Sequence, residues 1–111
     1  METMTLPTPE DPARAPIWEN YATAQTSQAS LGLYPDHAYA VGVEVNGRHL
    51  RLRFQLSRLT EEDEEDMRDI VSELEALVAQ EIYVDYSYEL TDRPRLDLHD
   101  GVSWIYATKA K

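Results

Sequence analysis

The side chains with the most chemical reach in this 111-residue chain are three histidines and a dense set of carboxylates. His37, His49 and His99 match neither an H-x-x-x-H nor an H-E-x-x-H spacing, and with no cysteine present a metal site is not expected. The stretch "LDLHD", residues 96–100, gathers Asp97, His99 and Asp100 close to Ser103, the residue types of a hydrolytic triad. No nucleophile elbow accompanies them, and an aspartate directly before Gly101 is what a turn with side-chain-to-backbone bonding asks for. The few glycines form neither G-x-G-x-x-G nor a phosphate loop. Carboxylates crowd "LTEEDEEDMRDIVSELEALV", residues 59–78, where seven acids fill nine positions from Glu61 to Asp69. Acid–base chemistry needs two carboxyls in environments that set their pKa values apart, which a crowded exposed surface does not provide. The expectation is a protein with no cofactor, no metal and no catalytic motif.

The elements that carry these residues follow from periodicity. Residues 1–15, with Pro7, Pro9 and Pro12 among small and polar residues, read as a disordered tail, and residues 16–111 as a single α+β domain. Pro16 suits a helix's first turn; Ile17, Trp18, Tyr21, Ala22 and Gln25 then recur near helical spacing until Gly32. "AYAVGVEV" and "HLRLRFQL" alternate strictly around Asn46-Gly47, which predicts a hairpin with a type I′ turn opposing Val45 to Arg48 and Val43 to Leu50. One hairpin face is then apolar. The other holds Glu44, His49, Arg51, Arg53 and Gln55 beside Gly42 and Ala40, either a solvated face or a basic ligand surface.

The acidic stretch is also an amphipathic helix. Met67, Ile70, Val71, Leu74, Leu77 and Val78 form its apolar stripe, and Thr60 with Asp63 gives an N-cap and a capping-box pattern. "EIYVDYSYEL" predicts a third strand with Ile82 and Val84 inward and Tyr83 outward, and "GVSWIYATK" a fourth. The element order α-β-β-α-β-β, without parallel βαβ repeats, predicts a two-layer sandwich: an antiparallel sheet with helices on one face.

Charge is distributed more tellingly than any motif. Residues 60–81 carry ten acids and one base, Arg68, within a chain whose net charge is −11. Capping and the helix dipole account for the first turn alone. At about 100° per residue, Glu62, Glu65, Asp66, Asp69 and Glu73 fall together on a side away from the apolar stripe. Such a side is either a solvated surface kept for solubility or a recognition surface that repels nucleic acid and anionic membrane and steers toward a basic protein. Tyr83, just past the helix, is the candidate aromatic anchor.

A small, cysteine-free, strongly acidic chain with "LTEEDEEDMRDIVSELEALVAQEIYVDYSY" and "HDGVSWIYA" resembles the immunity proteins of bacterial polymorphic and contact-dependent toxin systems in size, charge and element order. That resemblance implies a protein that binds a cognate toxin domain, often a basic nuclease, and occludes its active site. No cysteine, no apolar run of the ~18 residues a span needs and no basic-then-apolar leader in the first residues make the cytoplasm the expected location. Two other readings stay open: a small enzyme or ligand-binding domain using His49, Arg51 and Arg53, and an acidic module that mimics DNA.

Overall fold

The computed structural model describes residues 15–97 and 100–108. The expected tail lies outside them except for Ala15, which is already helical. The chain is α+β: α1 (Ala15–Ala29), β1 (Ala38–Asn46), β2 (His49–Leu56), α2 (Glu61–Leu77), β3 (Tyr83–Leu90) and β4 (Val102–Ala107). The predicted order is found. The four strands form one sheet in the order β3-β2-β1-β4.

The sheet is mixed, not antiparallel. β1 pairs antiparallel with β2 and with β4, but β2 and β3 run parallel, with His49 opposite Tyr83 and Leu56 opposite Leu90. The 17-residue α2 supplies the reason. A parallel neighbour needs a crossover of a dozen or more residues, and a helix that returns the chain to the starting end of β2 provides it. β2-α2-β3 is therefore a βαβ unit attached to a hairpin.

The hairpin register also differs from expectation. Asn46 opposes His49 and Val45 opposes Leu50, so the two loop residues are Gly47 and Arg48. Gly47 has φ +60° and no non-glycine residue has positive φ among those described, which excludes the type I′ turn centred on Asn46. Glycine at the first loop position is the type II′ arrangement. Hydrophobic alternation defines pairing only to within two residues, because a slip of two leaves every side chain on its face. Trp18 Nε1 donates to Gly47 O at 3.0 Å and ties α1 to the turn. Gly47→Val should cost about 1–3 kcal/mol, since a β-branched residue resists positive φ. Chemical denaturation checks this; unchanged stability would contradict the assigned turn.

One apolar cluster joins Trp18 and Ala22 of α1, Met67, Ile70 and Leu74 of α2, and Val41, Val43, Leu50, Leu52, Phe54 and Val84, alternate residues of one sheet face. On α1 the buried stripe continues through Thr26 and Ser30. Their hydroxyls donate to the carbonyls of Ala22 (2.8 Å) and Thr26 (2.7 Å), four residues back, so burial leaves no unmet donor.

Gly42 lies on the other face, opposite Trp104. A Cβ there would meet Val102 Cγ1 at 2.5 Å and Trp104 Cε3 at 2.8 Å. Gly42→Ala should therefore destabilise by about 1–3 kcal/mol through overpacking. A melt checks it, and a neutral result would mean that β4 can shift away from β1.

Candidate partner-binding surface

Thr60 is extended (φ −115°, ψ 167°), and its side chain accepts from Asp63 N at 3.1 Å. Asp63 answers through Oδ2, which accepts from Thr60 N at 3.0 Å and completes the capping box. The same carboxylate is only 1% exposed and does more than cap. His37 N donates to Oδ1 (3.3 Å), and His37 Nδ1 lies 2.7 Å from Oδ2. Arg58 Nε donates to His37 Nε2 at 3.0 Å, which leaves the ring proton on Nδ1, facing Asp63. Burial pushes the Asp63 carboxyl up, but the hydrogen bonds from Thr60 and His37 outweigh it and hold the group below the usual aspartate value. The start of β1, the 57–60 link and the start of α2 are thereby fastened together.

With its N-terminus fixed, α2 presents the predicted acidic side. Glu62, Glu65, Asp69 and Glu73 are exposed and Asp66 is half-buried. The structure brings a further acid to them: Asp36, from the α1–β1 link. Burial and then Asp36, Asp69, Asp63 and Glu65 push the Asp66 carboxyl above its usual value. Arg68, the one base on α2, lies 3.9 Å from Glu64, and no described base forms an ion pair with Glu62, Glu65, Asp66, Asp69 or Glu73. Arg68 shares a shallow depression with Glu61, Glu64, Glu65 and Asp69, so a single cation stands among many like charges that face water. Asp36 has no periodic signal of its own; only the fold brings it to Asp66.

Tyr83 is not joined to these acids. It is 62% exposed and sits on the outer sheet face, its ring 4.9 Å from that of His49. It borders a shallow depression with Glu75, Ala79 and Gln80. Glu75 projects about 130° round α2 from the middle of the acidic side and about 80° from Glu65, taking about 100° per residue.

The outer face holds His49, Arg51 and Arg53, and both arginines meet carboxylates. Arg51 binds Asp85 through both carboxylate oxygens, Nε to Oδ1 at 3.0 Å and Nη2 to Oδ2 at 3.1 Å. That bond, helped by the nearby His49, outweighs burial, which pushes the carboxyl up, and leaves Asp85 below its usual value. Arg53 is paired with Glu44. His49 Nε2 is 2.9 Å from Asp85 Oδ1 but off the line of a hydrogen bond, so that buried nitrogen has no aligned partner. Gln55 is buried where the segment after β3 lies against this face at Arg95. Its amide donates to Arg95 O and accepts from Arg95 N, both at 2.7 Å.

Of the residues of the imagined triad, Asp97, Asp100 and Ser103 are among those described. His99 lies outside them. Asp100 Oδ1 accepts from Val102 N at 2.9 Å and Oδ2 from Trp104 Nε1 at 3.1 Å, before Gly101 at φ +75°. This is the expected aspartate turn. Strand alternation places Ser103 on the other side of β4 from Trp104. No group of three or more His, Asp or Glu side chains among the described residues is arranged to hold a metal ion, and no described helix is long and apolar enough to cross a membrane. Compared with known proteins, the chain matches no family model and no curated protein.

Proposed function

We propose that this chain is an inhibitory binding protein, an immunity protein of a bacterial toxin system that acts in the cytoplasm by occluding a basic cognate toxin domain. The observation that carries the reading is the crowded acidic side of α2, where Asp36 adds its charge to Asp66 and none of the five predicted acids is ion-paired among the described residues. Fold stability gains nothing from such crowding, whereas a cationic surface brought against it exchanges self-repulsion for attraction and is drawn in faster. In this reading both helices form one layer over the sheet, which leaves that side of α2 open to a partner. The partner is a basic protein rather than nucleic acid or membrane, both of which carry the same sign of charge. The sheet-face alternative is weaker because Arg51 and Arg53 already have carboxylate partners.

Purification of the intact chain from its native host at low ionic strength tests the reading. The expected result is one basic protein, bound in stoichiometric amount, released by salt and inhibited when the chain is added back. Recovery of no basic partner, or catalytic turnover by the chain alone, would count against it.

A further inference from the structure

β3 is an edge strand whose outer side pairs with no other strand among the described residues. In a parallel ladder, alternate residues turn both backbone groups toward one neighbour. Tyr83 N donates to Arg48 O and Thr91 N to Leu56 O, each at 2.8 Å, so the odd-numbered residues face β2. Val84, Tyr86, Tyr88 and Leu90 therefore direct their N–H and C=O groups outward. Edges of this kind are normally blunted by proline, lysine, a bulge or a covering segment. The sequence "YVDYSYEL" has neither proline nor lysine, its charged residues are Asp85, held by Arg51, and Glu89, and its pairing with β2 contains no bulge.

Half of the strand is also bare. Ile82 and Val84 are buried, whereas Tyr88 and Leu90, on the same face, are 42% and 59% exposed. The first turn of α2 is tied to His37, just before β1, and its last turn leads into β3, whose burial falls from Val84 toward Leu90.

We infer that β3 is the seam of a two-fold dimer, in which two copies of this chain pair antiparallel through β3 with Tyr86 opposite Tyr86 of the second copy. This register sets Val84 against Tyr88 and Ile82 against Leu90. The bare end of each strand meets the covered end of the other, which is the self-complementarity that a two-fold interface needs. Charge agrees. Asp85 falls opposite Ser87 and Glu89 opposite Tyr83, so no two acids of the edge face each other, and Asp85 is already held by Arg51. Past the ends of the ladder, Glu81 of one copy falls opposite Thr91 of the other, with the exposed Arg93 one diagonal step further on. Glu62, Asp66, Asp69 and Glu73 lie about 120–180° round α2 from Glu75, which borders β3, and stay open in the dimer; Glu65 is about 80° away.

Sedimentation velocity on the 111-residue chain over a range of concentrations tests this. The mass should rise with concentration from 12.7 kDa to twice that value. Tyr88→Pro removes an outward N–H that β2 does not use, and Leu90→Lys places a charge where the second copy would bury it. Both variants should keep the wild-type circular dichroism spectrum and lose the dimer. Leu90 is already exposed in one copy, so Leu90→Lys remains informative even if the proline variant fails to fold. A wild-type chain that stays at 12.7 kDa at the highest concentration, or a dimer that persists in folded Leu90→Lys, would overturn the inference. Neither readout involves a toxin, so the outcome is independent of the proposed function.

Discussion

Replacing Asp63 with alanine is expected to lower the melting temperature by about 10 °C or more, for a loss of roughly 2–4 kcal/mol in a domain of this size. The substitution removes half of a capping box. It also leaves His37 Nδ1–H and the His37 and Thr60 backbone donors without their acceptor. An exposed cap would cost about 1 kcal/mol; the rest of the loss comes from groups left unpaired where water has little access. Asp63→Asn should be milder, because its carbonyl oxygen can still accept one of these bonds. The pH dependence has a defined sign. The folded-state pKa of Asp63 lies below its unfolded value, so its contribution is fully present above the usual aspartate range and disappears as pH falls through the lower, folded value. Thermal melts at neutral and acidic pH should show the wild type losing its advantage over Asp63→Asn on the acid side. A wild-type melt for Asp63→Ala at neutral pH would mean that the buried network contributes nothing.

How far the sequence revealed this fold depends on the range of each interaction. Strand alternation placed Val41, Val43, Leu50, Leu52 and Phe54 on one face, and Thr60 with Asp63 announced the start of α2; both signals span only a few residues. The hairpin register required a choice between two pairings with identical faces, and the φ angle of Gly47 decides between them. The parallel direction of β3 is set by where α2 returns the chain, and no period within "EIYVDYSYEL" encodes it. Gln55 gave the pattern of a solvated position, yet it is buried by backbone from 40 residues further on. Asp63 and His37 are 26 residues apart and meet only in three dimensions. At the candidate surface, helical spacing was enough to group Glu62, Glu65, Asp66, Asp69 and Glu73. It did not reveal Asp36, and it could not show that an outward Tyr83 leaves the sheet on the side away from α2.

The acidic side of α2 is the center of the functional reading, and a charge reversal addresses it. Glu65, Asp69 and Glu73 lie beyond the capping box, so replacing all three with lysine spares the bonds that fix the start of the helix. Circular dichroism should report the same helix content. The deciding measurement is the association rate of this triple variant, against wild type, with the basic protein recovered from the native host, at low and at high salt. At low salt the variant should associate about tenfold more slowly or worse, and the gap should narrow once the screening length falls to about 10 Å near 0.1 M salt. A folded variant that associates at the wild-type rate in low salt would contradict the role of this surface and leave its acids as a solvated face.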